Sequence, residues 1–332
     1  MQNSMAMGVI HYGLGPIGIA VARLVAESSK LRSVGAADIN PDLLGHDLSE
    51  LVGTAERSGL MVQLPEQALR AEQAQAVALC TGSALERVLP QVLECIQAGL
   101  AVVSTCEELS YPWKQAPQLA RQIDEAARRA HVAVLGTGVN PGFAMDYLPI
   151  VLSGAARRVD HVGVHRVQDA GVRRLPLQEK VGAGLDRPAF EQRVRAGTVR
   201  HVGLPESAYA LAAAFGWSLS ELRESIEPVL ADRPTPSGLG EIQPGRVTGV
   251  RQMATGLVNG REVISLILEM AVGLPDPRDE IALSGDPNLR LVIPGGLHGD
   301  VATAAIVVNA ISRVVEAQPG LRVMADLPPP HP

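Results

Sequence analysis

Six residues near the amino terminus, Gly13-Leu14-Gly15-Pro16-Ile17-Gly18, constrain this chain more than any others. The apolar run 8–12 precedes them, and apolar residues follow at Ile17, Val21, Leu24 and Val25. A buried strand, a glycine turn and an amphipathic helix form the context in which GxGxxG reads as a dinucleotide fingerprint. Gly13 then takes the tight turn, Gly15 lets backbone N–H groups approach a pyrophosphate, and Gly18 lets helix and strand pack closely. The helix start at Pro16 and Ile17 faces the phosphate charge. A second strand over 33–37 ends at Asp38, twenty residues after Gly18, the spacing at which an acid meets a ribose 2′-hydroxyl. The expected cofactor is NAD, with NADP possible, because Asp38 repels a 2′-phosphate and Ile39-Asn40 offers no cation to hold one.

With 332 residues the chain has room for about two domains. An apolar strand over 76–80 ends in Thr81, Gly82 and Ser83, which should border the cofactor at the carboxyl end of a parallel sheet. Ser83 is equally suited to cap the helix that follows, through Ala98. A brief strand over 60–62 and a helix over 66–72 precede this stretch. A strand over 101–105 runs into Cys106-Glu107-Glu108, a helix covers 116–130 and a strand 132–135. This alternation predicts a doubly wound parallel sheet with helices on both faces, an α/β Rossmann domain over 1–142.

The turn formers of 136–142 mark its exit. Beyond them the pattern predicts a strand over 159–167, helices over 206–215 and 219–230, and strand pairs over 246–274 and 280–293. The first pair turns at Asn259-Gly260, a strong hairpin signal. Residues 143–297 thus read as an α+β domain with a largely antiparallel sheet. Residues 298–332 hold a last helix, with Asp300 as its expected N-cap, and a proline-rich tail.

A net charge of −6 without a basic block disfavours nucleic acid and acidic membrane surfaces as partners. No apolar stretch approaches the ~18–20 residues of a membrane span. Three cysteines, Cys80, Cys95 and Cys106, follow no metal or disulfide spacing and suit a reducing cytoplasm. The first strand begins too early for a signal peptide to precede it. On a strand His161 and His165 stand about 13 Å apart, which rejects a metal pair.

Three groups of side chains can carry chemistry. Glu107 and Glu108 lie at the carboxyl end of a strand, where a carboxylate can serve as general base toward an amine or water. If the chain is extended there, at most one faces a substrate, and two solvated capping charges are an equal reading. Arg166 and Gln168 share one face of a strand, where an arginine and an amide can grip a carboxylate, although surface arginine is the commoner explanation. His298, before Gly299-Asp300, is either a substrate contact or a cap.

With these residues in order, the chain resembles the 2,4-diaminopentanoate dehydrogenases and the native amine dehydrogenases related to them, distant relatives of dihydrodipicolinate reductase. The matching stretches are HYGLGPIG at 11–18, STCEEL at 104–109, GVNPG at 138–142, GLPES at 203–207 and HGDVATAA at 298–305 running into Val308-Asn309-Ala310. The resemblance implies NAD- or NADP-dependent oxidative deamination of an amine or diamino acid. It also implies reductive amination of a ketone or aldehyde with ammonia in reverse, in a homodimer whose last helix returns to the Rossmann domain. It assigns the catalytic acid to Glu107 or Glu108, with a slight preference for Glu108, and brings Cys106 and Asn309 toward the cofactor. It lines a substrate cleft with Asn140, Arg166, Gln168 and His298. The paired histidines and lysine of dihydrodipicolinate reductase are missing, which disfavours that reaction. A hydroxy- or semialdehyde dehydrogenase similar to homoserine dehydrogenase, and a non-catalytic NAD(H) sensor, are the competing readings.

Overall fold

The computed structural model describes residues 6–173 and 175–332. The chain divides into two compact units, one formed by residues up to Phe143 together with His298–Pro332, the other by Ala144–Leu297.

The first unit is built on strands β1 (Met7–Tyr12), β2 (Leu31–Ala37), β3 (Val62–Gln63), β4 (Ala74–Leu79), β5 (Ala101–Ser104), β6 (Ala133–Gly136) and β15 (Gly320–Arg322). They form one sheet in the order β15-β6-β5-β4-β1-β2-β3, every pair parallel. Such strands are buried on both faces, which is why they read as continuous apolar runs. On one face Ile10, Val77, Val102 and Val134 pack against α4 (Leu85–Gln97) and α5 (Pro117–Arg129), through Val88, Val92 and Ile123 among others. Each such side chain contributes about 1.5–3 kcal/mol on burial. The other face carries α1 (Pro16–Glu27), which buries Gly18, Val21, Ala22 and Val25, and α10 (Gly299–Val315), which packs on α1, β4, β5 and β6. The doubly wound α/β class expected from the sequence is the class observed.

Three local expectations fail here. The helix expected over 66–72 shrinks to α3 (Pro65–Ala68), and α2 (Leu48–Val52) lies before it. The N-cap of α4 is Ala84 rather than Ser83, and that of α10 is His298, which leaves Asp300 inside the first turn. Strand β15 was not expected at all. Three residues long, it gains its identity from pairing with β6, a partner nearly two hundred residues away.

The second unit holds α6 (Tyr147–Ser153), β7 (Arg158–Asp169), α7 (Leu175–Lys180), α8 (Arg187–Arg195), α9 (Leu204–Ala214), β8 (Glu221–Leu230), β9 (Thr235–Ser237), β10 (Gly240–Ile242), β11 (Val247–Val258), β12 (Arg261–Ala271), β13 (Arg278–Asp286) and β14 (Leu289–Pro294). Six strands form a sheet ordered β14-β13-β7-β12-β11-β8, antiparallel except where β12 meets β7. Asn259 and Gly260 both take positive φ (51° and 79°), as a type I′ hairpin turn between β11 and β12 requires.

Of residues 219–230, expected as a helix, Glu221–Leu230 form the edge strand β8. Pro228 was the overlooked signal, since proline inside a helix removes a hydrogen bond and clashes, whereas an edge strand tolerates it. The charges at Glu221, Arg223, Glu224 and Glu227 suit an edge, where they oppose further strand pairing. Among the described residues no helix is long and apolar enough to cross a membrane, and no cluster of three or more His, Cys, Asp or Glu side chains suits a metal ion. His161 and His165 instead approach Glu262 and Glu269, at 3.3 Å and 3.0 Å.

Candidate active site

The carboxyl ends of β1, β2, β4, β5 and β6 gather the candidate residues of the first unit. Gly13 has φ +91°, and a Cβ there would lie 2.7 Å from the Cys80 carbonyl oxygen. A Cβ on Gly18 would lie 1.8 Å from the carbonyl oxygen of Gly13, so the helix sits on the turn only because it has no side chain. At Gly15, the N-cap of α1, a Cβ would meet nothing within 4 Å, and no side chain caps the helix. Exposed Gly15 and Pro16 and half-buried Ile17 therefore leave open space over free backbone N–H groups at a helix N-terminus. This is a cradle for a pyrophosphate, and its residues fit a dinucleotide.

Asp38 is tied into that cradle. Its Oδ2 accepts the Leu14 N–H at 2.6 Å, and its Oδ1 accepts the Asn40 N–H at 2.8 Å. Ile39, next to it, is 74% exposed. The first arginine to follow it in the sequence, Arg57, pairs with Glu50 at 2.8 Å.

At the end of β4, Thr81 and Gly82 are exposed and Ser83 half-buried, with the Thr81 hydroxyl on the Gln91 side chain. The STCEEL stretch is stitched onto this turn. Ser104 Oγ bonds the Leu79 carbonyl (3.1 Å) and accepts the Cys106 N–H (3.1 Å). Cys106 Sγ and the Glu108 N–H both approach the Ser83 carbonyl, at 3.2 Å and 3.3 Å. Cys106 is 1% exposed, and burial pushes its thiol up to about 12, so it acts here by holding Ser83.

Glu107 and Glu108 are both half-buried in a short 3₁₀ turn, Glu107–Leu109, rather than in extended chain. Glu108 Oε2 accepts the N–H of Leu85, the first residue of α4, at 2.7 Å. It thus supplies the cap that Ser83 was expected to give, from a residue 23 positions along the chain, and its charge favours the helix N-terminus.

The turn after β6 is buried throughout residues 137–142. Thr137 N–H donates to the Ser104 carbonyl (2.8 Å), and Val139 N–H donates to Thr303 Oγ1 of α10 (3.2 Å). Asn140 is 6% exposed, and neither atom of its side-chain amide has a partner among the described residues. On α10, His298 is exposed and Asn309 half-buried.

In the second unit Arg166 and Gln168 are buried and already engaged. Arg166 Nη1 stands 3.3 Å from Asp279 Oδ2, and its Nη2 donates to the Leu297 carbonyl at 3.0 Å. Gln168 Nε2 donates to Asp279 Oδ1 at 3.3 Å, and Asp279 Oδ2 accepts the Leu297 N–H at 2.8 Å. Burial pushes the Asp279 carboxyl up, against the pull of Arg166. The arginine and amide expected to grip a substrate carboxylate thus grip a carboxylate of the chain itself. Asp279 was invisible to local sequence reading, because it arrives from β13 by sheet pairing opposite Arg166.

Residues 143–332 match the family model for the C-terminal domain of 2,4-diaminopentanoate dehydrogenase. The chain is 32% identical to 2,4-diaminopentanoate dehydrogenase of Acetoanaerobium sticklandii, over 97% of this chain and 94% of that one. It is 23% identical to an amine dehydrogenase of Streptomyces virginiae, over 97% and 96%. Among solved structures, amine dehydrogenase from Mycobacterium smegmatis has the same fold, with a TM-score of 0.86, 24% identity and coverage of 100% and 98%. On the matched domain and the near full-length identity, the chain belongs to the 2,4-diaminopentanoate dehydrogenase family.

Proposed function

We propose that this chain is an NAD(P)-dependent amine dehydrogenase that deaminates an amine or diamino acid and, in reverse, aminates a ketone or aldehyde with ammonia. The 32% identity across nearly the whole of a 2,4-diaminopentanoate dehydrogenase carries the reading. The glycine cradle and Asp38 support its cofactor half. It is an oxidoreductase acting on amine donors. A homodimer, implied by the family resemblance, belongs to the same proposal and is read by light scattering.

When bound, the nicotinamide supplies the hydride acceptor. The turn 13–18 and the N-terminus of α1 hold the pyrophosphate, Asp38 the adenosine ribose, and Thr81, Gly82 and Ser83 border the dinucleotide. Glu107 is the acid–base group. It takes a proton from the substrate ammonium, because only the neutral amine has a lone pair to stabilise the developing C=N bond, and releases it to solvent; as a carboxylate again, it draws a proton from the water that attacks the imine and passes that proton to the departing ammonia. Glu108 is assigned otherwise, because its carboxylate caps α4. In the aminating direction Glu107 orients ammonia at the carbonyl carbon. His298 lines the substrate side.

The test is a screen of aldehydes, ketones and keto acids for NADH oxidation with and without ammonium. Turnover that requires ammonium is the expected result. A panel indifferent to ammonium overturns the assignment in favour of a hydroxy- or semialdehyde dehydrogenase, and binding of NADH without any oxidation favours a sensor.

A further inference from the structure

The turn after β6 combines rigidity with unmet hydrogen-bonding capacity. Its backbone is held on one side by Ser104 and on the other by Thr303. Gly142 closes it with φ +112°, where a Cβ would lie 2.7 Å from both Thr137 Oγ1 and the Gly138 nitrogen. Yet Asn140 Oδ1, Asn140 Nδ2 and Thr137 Oγ1 are all buried without a partner among the described residues. Proteins rarely keep such groups without a reason, and a fixed loop presenting them is a preorganised binding element.

The pattern of the free atoms selects the ligand. A primary carboxamide is self-complementary. Each partner donates one N–H to the other's oxygen, so a second carboxamide satisfies Asn140 Oδ1 and Nδ2 together. An ammonium or amine satisfies chiefly the oxygen, and a carboxylate only the nitrogen. The position agrees. In the order β6-β5-β4-β1-β2, Asp38 ends β2 and the cradle follows β1, so the half of a dinucleotide remote from Asp38 runs toward β5 and β6.

We propose that Asn140, assisted by Thr137, recognises the primary carboxamide of the nicotinamide ring. Asn140 Nδ2–H donates to the carboxamide oxygen and Oδ1 accepts from its NH2. Asn140 then serves the cofactor and not the substrate, to which the family resemblance had assigned it. The proposal rests on the dinucleotide reading above.

Calorimetric titration of the full chain separates the two. The ligands are ADP-ribose, NAD+ and the 3-acetylpyridine analogue of NAD+, in which a methyl replaces the NH2. The wild type binds NAD+ about tenfold more tightly than the analogue, because the analogue leaves Asn140 Oδ1 unmet. In Asn140→Ala the two bind within about twofold, while ADP-ribose binds as in the wild type, which also shows that the variant is folded. Asn140→Asp turns a lone pair toward the carboxamide oxygen and weakens NAD+ by about tenfold. The apo form of Asn140→Ala melts no lower than the wild type, since it loses unsatisfied polar atoms rather than a structural bond.

An Asn140→Ala variant that keeps the wild-type preference overturns the proposal, as does a wild type with no preference. A rise confined to the KM for amine or ammonium, with the preference intact, overturns it in favour of a substrate role. A wild type that binds neither ADP-ribose nor NAD+ removes the dinucleotide reading itself.

Discussion

Glu108 Oε2 accepts the backbone N–H of Leu85 at 2.7 Å, so that one of two adjacent glutamates is a helix cap fixed between β5 and α4. This separates the pair by experiment. Glu107→Gln keeps size and polarity but removes proton exchange, so kcat should fall about 10²–10⁴-fold with NADH affinity nearly unchanged. Glu108→Gln still offers an oxygen to Leu85 and should retain most activity. Glu108→Ala loses the cap and should lower stability by about 0.5–2 kcal/mol in urea melts. A Glu107→Gln enzyme with near wild-type kcat would leave the mechanism without its base.

Arg166 and Asp279 should behave as a structural ion pair. Removing one partner strands a buried charge, so Arg166→Ala and Asp279→Ala should each destabilise by about 3–5 kcal/mol, whereas Arg166→Met with Asp279→Leu should recover much of that loss. Michaelis constants for carboxylated and simple carbonyl substrates should move together in all three. A rise in KM confined to the carboxylated substrate, without loss of stability, would return Arg166 to the substrate.

Asp38 should confer a preference for NAD over NADP. Its oxygens already order Leu14 and Asn40, and a 2′-phosphate would face this carboxylate with Arg57 held by Glu50. Losing charge-assisted bonds to the ribose hydroxyls corresponds to about a 10- to 100-fold lower kcat/KM with NADPH. Equal efficiency with both cofactors would refute this. Asp38→Ala should weaken both, since the Leu14 N–H loses its anchor.

Acid should destabilise the fold in two successive windows. Burial pushes His11, whose Nε2 lies 2.8 Å from Ser33 Oγ, down to about 4. Burial, reinforced by Lys180 and Arg166, does the same to His201. Between pH 6.5 and 4 the unfolded chain therefore binds more protons than the folded one, so stability falls with pH, by up to about 1.4 kcal/mol per unit for each histidine. His11→Gln should remove about half of that slope in urea melts. Asp47 accepts bonds from Ser49, Ser58 and Gly59 that hold its carboxyl well below the usual range. Its contribution is present above pH 3.8 and lost as pH falls further toward its folded value. A stability flat from pH 7 to 4 would contradict the histidine assignment.

What the sequence determined by itself was everything whose cause is local. The glycine turn, the apolar strands of a sheet buried on both faces, the Asn259-Gly260 hairpin and the acid ending β2 depend on backbone conformation, periodicity and spacing, which neighbouring residues dictate. The tertiary structure decided whatever depends on partners distant in the chain. Residues 219–230 carry enough apolar spacing for a helix, but pairing with β11 and Pro228 make Glu221–Leu230 an edge strand. Strand β15 exists only because β6 offers a free edge. Glu107 and Glu108 are chemically identical neighbours, and it is the fold that brings the Leu85 N–H to Glu108. Arg166 presents the same guanidinium to a ligand carboxylate as to Asp279, and the register of β13 against β7 determines which it meets.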